Sequence, residues 1–210
     1  MPYFPFFIDI SGRRCLIAGG GRIALHKINK LLPFSPEMHV VSPEICDDIA
    51  GIPGLCLQQR EFRQSDLDGA FFVIAATDRQ EVNADISRLC RERGILCNAV
   101  DSPADCSFFF PALAQRGDIT AGVSTSGKSP LIAAQLRRQI EGLLTPQLAE
   151  ICDILGELRQ EIRGKFPLEK QRAQAMTAAL EYCLQREKVP EYTELLEFIN
   201  GLELKVLPLK

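Results

Sequence analysis

The chain lacks the residue patterns of membrane, secreted and nucleic-acid-binding proteins. Its 210 residues include no tryptophan and only two histidines, and 24 Lys plus Arg stand against 27 Asp plus Glu. A formal charge of −3 provides no general attraction to nucleic acid. No apolar run approaches the roughly 20 residues that span a bilayer. The apolar start, Met1–Ile8, has no basic segment before it and stops at Asp9, so it is not a signal peptide and we expect a cytoplasmic protein.

Cysteine is frequent, but no two of the eight cysteines form a C-x-x-C pair. Cys90, Cys97 and Cys106 come nearest to a metal cluster, and their spacing matches no structural zinc pattern. Cys15 lies in an apolar strand segment and Cys152 on an apolar helical stripe, so both are expected to be core residues. We therefore predict reduced thiols and no preformed metal site.

In the first half of the chain, apolar segments alternate with helical patterns. Cys15–Ala18, Met38–Ser42, Ala70–Ala76 and Ile95–Val100 are predicted to be buried strands, and Glu81–Arg93 one of the helices between them. This alternation predicts an α/β fold, a Rossmann-type doubly wound parallel sheet with ligands at the carboxyl ends of its strands. The residues at those ends are Gly19, Ser42, Thr77 and Asp101.

After Pro111 the pattern changes. A strand over Ile119–Ser124 precedes a helix from about Leu131 to Leu144, and from Pro146 onward the spacing is helical. We predict a nucleotide-binding domain over 1–113, a segment over 114–147 and a small all-helical domain over 148–210.

The most informative motif follows the first predicted strand. Gly19, Gly21 and Ala24 have the spacing of the dinucleotide fingerprint G-x-G-x-x-G/A. The first glycine permits a tight turn, the second lets backbone approach a pyrophosphate, and the small third residue lets the helix pack closely on the strand. Helix N-terminal amides would then face the phosphates, so the motif predicts a bound dinucleotide.

The segment after the second predicted strand favours NAD over NADP. Residues 42–48 are acidic and contain neither Arg nor Lys, so they would repel a 2′-phosphate. Ser42 stands where an acid usually binds the ribose. Glu44 could take that role, Pro43 and Glu44 could line the adenosine with backbone, or Glu44 could be a solvated loop acid.

Two further features have both a chemical and a purely structural interpretation. Asp101 ends an apolar strand, where partial burial would suit its carboxyl to proton transfer, but it could also cap a turn before Pro103. Residues 124–129 place hydroxyls, amides and Lys128 ahead of a helix, which is typical of an anion site, although Ser129 could simply cap that helix. Arg137 and Arg138 on the same helix could bind a carboxylate or be solvated.

Taken in order, these motifs resemble the precorrin-2 dehydrogenase family, the dehydrogenase/ferrochelatase module of siroheme synthase. The resemblance covers about residues 2–145. It is carried by Tyr3–Asp9, Gly19–Ala24 with Lys27, Ala75–Asp78 with Asn83, Cys97–Asp101 and Ser124–Pro130.

This resemblance implies an enzyme that oxidises precorrin-2 to sirohydrochlorin with NAD and, in some members, inserts Fe²⁺ to give siroheme. It also implies a homodimer with 114–147 as its interface and a helical domain that covers the tetrapyrrole. Asp101 and Thr125 would be the catalytic residues. Asp101 would serve proton transfer and act as a transient iron ligand, and Thr125 stands where a serine is common. His26 replaces a usual arginine before Lys27. The predicted nucleotide contacts are Gly19, Gly20, Gly21, Arg22, Ile23, Pro43, Glu44 and Thr77.

The implied substrate carries eight carboxylates, so an acidic chain must gather basic and hydroxyl groups locally. The predicted substrate contacts are Ser124, Ser126, Lys128, Arg137 and Arg138, and further basic candidates are Arg116, Arg159 and Arg163. Two alternatives remain. An NAD-sensing module would carry the glycine loop without needing Asp101, and a pure chelatase would insert metal without NAD.

Overall fold

The computed structural model describes residues 3–202, which divide between Phe110 and Pro111 into two compact units. The unit up to Phe110 is an α/β fold. Its five parallel strands are β1 Arg14–Ala18, β2 Glu37–Ser42, β3 Cys56–Gln59, β4 Phe72–Ala75 and β5 Leu96–Ala99, and its helices are α1 Arg22–Leu31, α2 Asp47–Ala50 and α3 Gln80–Arg93.

Side-chain alternation along the strands creates a core on each face of the sheet. Ile17 and Ile74 pack with Ile28 of α1 on one face, whereas Leu16 packs with Ile86 of α3 on the other. All five residues are fully buried. Helices therefore cover both faces, and the predicted doubly wound sheet is confirmed.

Strand order fixes where a ligand can bind. The order is β3-β2-β1-β4-β5, so the chain runs outward from β1 to β3 and then returns to the other side of β1. The loops that follow β1 and β4 meet at this reversal, where α/β sheets bind their ligands.

Two strands escaped prediction. β3 lies at the edge of the sheet with Cys56 and Leu57 exposed, so it has no continuous apolar run. The second, β6 Ala112–Arg116, forms an antiparallel hairpin with β7 Ile119–Val123 in the other unit. Because it is only partly buried, its sequence carries a weak strand signal.

After the hairpin, the described residues up to 202 form four helices. These are α4 Pro130–Leu143, α5 Pro146–Lys165, α6 Glu169–Leu184 and α7 Tyr192–Gly201. Ile151, Leu158 and Ile162 of α5 form the core with residues of α6 and α7. The predicted 148–210 domain extends to residues 203–210, which lie outside the described residues, as do residues 1–2 of the predicted 1–113 domain.

All eight cysteines are free thiols. Cys15 is buried as predicted, and burial raises the pKa of its thiol. The prediction of a buried Cys152 is wrong: its side chain is exposed, because the core face of α5 passes through Ile151 and leaves the next position outside. Within residues 3–202, no helix combines the length and apolarity required to cross a bilayer.

A buried carboxylate stabilises the α/β unit. Asp66 is 7% exposed, and its two oxygens accept hydrogen bonds from Arg60 at 2.8 and 2.6 Å and from the Arg63 amide at 2.7 Å. The Arg60 guanidinium, followed by the Arg63 amide, holds the pKa of Asp66 below its usual value, against the opposing effect of burial.

We expect Asp66→Asn to lower the free energy of unfolding by about 1–2 kcal/mol at neutral pH, because it removes a charge-assisted pair. The carboxylate stabilises the fold above its unfolded pKa of about 3.9, and this contribution is lost as pH falls through the lower folded pKa. Urea unfolding of both proteins at several pH values measures the difference, which should shrink in acid. Glu92→Gln, which breaks an exposed pair with Arg88, should change stability little.

Candidate dinucleotide and proton-transfer site

The glycine loop between β1 and α1 is held by its neighbours on both sides. The Gly19 amide donates to Val41 O at 2.9 Å, and Gly20 O accepts from the Cys46 amide at 2.9 Å. A Cβ on Gly19, whose φ is +125°, would lie 2.2 Å from Ala76 O, and one on Gly20 would lie 2.2 Å from Glu44 O. Both positions therefore require glycine, because the loops after β2 and β4 occupy the space of a side chain.

Gly21 differs from the other two glycines. A Cβ there would meet nothing within 4 Å, and the residue stands at the N-terminus of α1 with its face open. The amides of Arg22, Ile23 and Ala24 belong to the first turn, whose N–H groups have no partner within a helix. Ala24 is fully buried, as close helix–strand packing requires. Open backbone beside unpaired amides fits a dinucleotide pyrophosphate.

Thr77 follows β4 at the same edge of the sheet. Its amide and hydroxyl both lie within hydrogen-bond distance of Asn83 Oδ1, at 3.0 and 2.7 Å, and Asn83 Nδ2 donates to Thr77 O at 3.0 Å. Asn83 is 4% exposed. It therefore fixes the turn that carries Thr77, a role that sequence reasoning missed, although a buried polar residue on an apolar helix face was the available signal.

The loop after β2 brings Pro43 and Glu44 to this edge with both side chains exposed. The loop contacts Gly20 through its backbone, because Glu44 O and the Ile45 Cα are the atoms that approach Gly20 most closely. Ser42 is buried at the strand end. The alternatives for Glu44, ribose ligand or solvated acid, therefore stay open.

Asp101 does not have the expected partial burial. β5 ends at Ala99, and Asp101 follows in a turn with a φ of +61° and an exposed side chain. The expectation is wrong because the chain leaves the sheet two residues earlier, so the carboxylate lies beyond the strand's apolar walls. Its carboxylate accepts no hydrogen bond from residues 3–202.

Lys27 of α1 packs against an aromatic ring. Its ammonium lies 4.2 Å from the centroid of the Phe110 ring, a cation–π geometry, and the side chain is half-buried. Burial and the Lys30 charge lower the pKa of Lys27, while Cys106 and Asp101 oppose that shift. Lys27 belongs to one of the family motifs in the sequence, but the sequence alone predicted no role for it. Lys27 thus lies within electrostatic range of Asp101, on the helix that follows the glycine loop.

The polar loop at 124–129 belongs to the other unit. Thr125 Oγ1 donates to Ser129 O at 3.0 Å and accepts from the Ser129 amide at 3.2 Å, while Ser129 Oγ accepts from the Ile132 amide at 3.3 Å. Ser129 therefore caps the N-terminus of α4, as one of its two interpretations predicted. Ser124 Oγ accepts from the Ser126 amide, and Lys128 is exposed.

Two predicted substrate contacts on α4 have partners on their own helix. Arg137 pairs with Glu141, and Arg138 donates to Gln135 at 2.9 Å. The structure therefore brings the predicted cofactor residues and Asp101 together in the α/β unit, and it places the remaining predicted contacts in the unit after Phe110. Among residues 3–202, no three or more His, Cys, Asp or Glu side chains are grouped to hold a metal ion.

A sequence profile of the family described as "Putative NAD(P)-binding" matches residues 6–112. The chain belongs to this NAD(P)-binding family. A second profile, described as "Sirohaem biosynthesis protein central", matches residues 111–143. The two matches meet where the two compact units divide.

Curated relatives carry the name siroheme synthase. The protein of Photorhabdus laumondii subsp. laumondii is 36% identical over 177 residues, and that of Ectopseudomonas mendocina is 37% identical over 175. Each alignment covers 82% of this chain but 37% of the relative, so the chain spans little more than a third of their length. Among solved structures, "SirC, precorrin-2 dehydrogenase" matches with a TM-score of 0.74 and 24% identity, covering 95% of this chain and 100% of that chain, which shows the fold.

The three glycines allow a paired test of the loop. We expect Gly20→Ala to lower the free energy of unfolding by about 1–3 kcal/mol, because its Cβ would overlap Glu44 O and force the loop to move. Gly21→Ala should cost less than about 1 kcal/mol, since its Cβ enters open space at a helix N-cap. Thermal and urea unfolding measure both, and equal losses would contradict the packing argument.

Proposed function

We propose that this chain is an NAD-dependent precorrin-2 dehydrogenase of siroheme biosynthesis. The observation that carries the proposal is the sharing of one sheet edge by the open glycine loop after β1, the Thr77 turn after β4 and the Asp101 turn after β5. Kinship with siroheme synthases supplies the substrate class. The sites assigned to cofactor and substrate are part of the proposal.

NAD, when bound, accepts a hydride from the partly reduced tetrapyrrole. The chain itself would hold the pyrophosphate on the amides of Arg22 and Ile23, with Gly21 giving the close approach, and would line the adenosine with Pro43 and Glu44. The acidic loop after β2 supports NAD rather than NADP, because it offers a 2′-phosphate no cation. The oxidation removes two hydrogens from the tetrapyrrole. One leaves as a hydride, so the other must leave as a proton.

Asp101 is the proposed acceptor of that proton. Its side chain is exposed and its carboxylate accepts no hydrogen bond within the described residues, so it is free to contact a substrate. We keep Thr125 in the proposal as a second catalytic group, with Ser124, Ser126, Lys128, Arg137 and Arg138 as substrate contacts. The Thr125 hydroxyl donates to Ser129 O, so its proposed catalytic role requires it to exchange this hydrogen bond for one to the substrate.

We expect Asp101→Asn to reduce turnover about 100-fold or more while leaving NAD affinity unchanged, because loss of a general base costs this much. Asparagine tolerates the positive φ at this position better than alanine, so the fold is kept. The assay mixes protein, precorrin-2 and NAD without oxygen and follows NADH, with NADP as the comparison cofactor.

Asp78→Asn is the matched control, since Asp78 is an exposed acid after β4 at the same edge. Full turnover in Asp101→Asn would remove Asp101 from proton transfer. NAD binding without NADH formation by the parent protein would favour the NAD-sensing module instead.

Iron insertion is a second candidate activity, with Fe²⁺ as a substrate. An exposed carboxylate can assist removal of pyrrole protons and contact an entering ion transiently, and Asp101 has this exposure. Adding Fe²⁺ or Co²⁺ to sirohydrochlorin, with and without NAD, separates this activity from the dehydrogenase.

A homodimer formed through residues 114–147 is the proposed assembly. α4 exposes four large apolar side chains, and two of them, Leu131 and Leu143, are 82% and 71% exposed. Ile132 and Leu136 lie one turn apart on the same helix. An apolar face of this kind is typical of an interface.

We expect the double variant Ile132→Glu/Leu136→Glu to be a monomer under conditions where the parent protein is a dimer, because two carboxylates would enter the apolar interface. Light scattering after size-exclusion chromatography gives the mass of each. Gln185→Glu adds a charge at an exposed position outside 114–147 and should leave the dimer intact. A monomeric parent protein at all concentrations would contradict the proposed assembly.

A further inference from the structure

A cavity of about 500 Å³ opens between α5 and α6. The charged residues that line it are three arginines, Arg159, Arg163 and Arg172, and one acid, Glu169. Ala173 and Met176 supply much of its apolar lining. A concave apolar surface with a few charged groups is the usual composition of a small-molecule site.

Helical spacing brings the charges to one place. Arg159 and Arg163 are one turn apart on α5, so both lie on the side that faces α6. Arg172 and Met176 are likewise one turn apart on α6. Three guanidinium groups from two packed helices therefore converge on the same cavity.

Arg172 is held in place by the connection between the helices. Its Nη1 donates to Pro167 O at 2.7 Å and to Phe166 O at 3.3 Å. Its other nitrogens make no hydrogen bond within the described residues. A guanidinium that is held through one nitrogen still has N–H groups to donate to a carboxylate. It also loses less rotamer entropy on binding than an unrestrained arginine would.

The cavity keeps an excess of positive charge. Within residues 3–202, neither Arg159 nor Arg163 forms an ion pair, and Glu169 pairs with none of the three arginines. Elsewhere in this unit arginines do pair, as Arg186 does with Glu194 at 3.4 Å. Three unneutralised cations against one acid favour an anionic ligand.

A neighbouring cavity of about 860 Å³ has the opposite sign. It shares Arg159 and Met176 with the first, but Asp118, Asp153 and Glu157 line it. An anion would be repelled there and attracted to the arginine cavity. The net charge of the lining therefore changes from positive in the first cavity to negative in the second.

We propose that the arginine cavity binds the carboxylate side chains of an acidic tetrapyrrole, whose ring edge packs on Met176 and Ala173. The choice of a tetrapyrrole rests on the proposed function, whereas the preference for a carboxylate-rich ligand rests on the cavity alone. Arg159 and Arg163 each bind one carboxylate, and Arg172 is the anchored third donor.

Uroporphyrin III, a stable octacarboxylate tetrapyrrole, is the probe. Because the chain has no tryptophan, the fluorescence of the porphyrin itself is followed as protein is added. We expect Arg159→Gln/Arg163→Gln to raise the Kd at least tenfold, and coproporphyrin, with four carboxylates, to bind the parent protein more weakly than uroporphyrin.

The matched control is Lys170→Gln/Lys188→Gln, which removes the same charge from exposed positions of this unit outside the cavity. It should leave the Kd within about twofold. Thermal unfolding of both double variants should match the parent protein, since all four side chains are exposed.

An unchanged Kd in the arginine double variant, equal losses in both variants, or no uroporphyrin binding by the parent protein would each overturn the proposal. NADH formation from precorrin-2 is measured separately on the parent protein. Its absence would overturn the proposed dehydrogenase and leave the porphyrin comparison intact, because uroporphyrin binding requires no NAD.

Discussion

The close approach of three backbone loops at the carboxyl edge of the sheet is the constraint on which the candidate cofactor site depends. The loop after β1 lies between the loops after β2 and β4, with no room for a Cβ at Gly19 or Gly20. This contact fixes the start of α1 relative to the strands, and the buried Ala24 keeps the helix against them. Gly19 and Gly20 make the close contacts with the neighbouring loops, whereas Gly21 faces open space.

Sequence predicted all four strands that are buried on both faces of the sheet and missed two strands whose apolar signal is weak. β1, β2, β4 and β5 have cores on both faces, which produces the continuous apolar runs that were recognised. β3 is an edge strand with exposed side chains, and the hairpin strand β6 is half-buried, so neither has such a run. Helix period placed Cys152 with the apolar positions of α5, but the packing partners α6 and α7 select a narrower face.

The sequence predicted which residues meet at the carboxyl edge of the sheet but not their surroundings. The glycine spacing and the strand ends identify these positions because both follow from local chain order. The exposure of Asp101 depends on a left-handed turn after β5, and the cation near it depends on how Lys27 packs against Phe110. Such contacts join residues far apart in sequence, so periodicity carries no information about them.

The net charge of −3 conceals a local separation of charge. On α4 the arginines have side-chain partners within the helix, Arg137 in Glu141 and Arg138 in Gln135. Within residues 3–202, Arg159, Arg163 and Arg172 form no ion pair, and they line a concave surface between α5 and α6. An isolated surface cation attracts anions weakly because water and salt screen it, whereas converging cations at a partly enclosed apolar surface are screened less. A chain that is acidic overall can therefore favour a polycarboxylate at one place, as we propose for the cavity between α5 and α6.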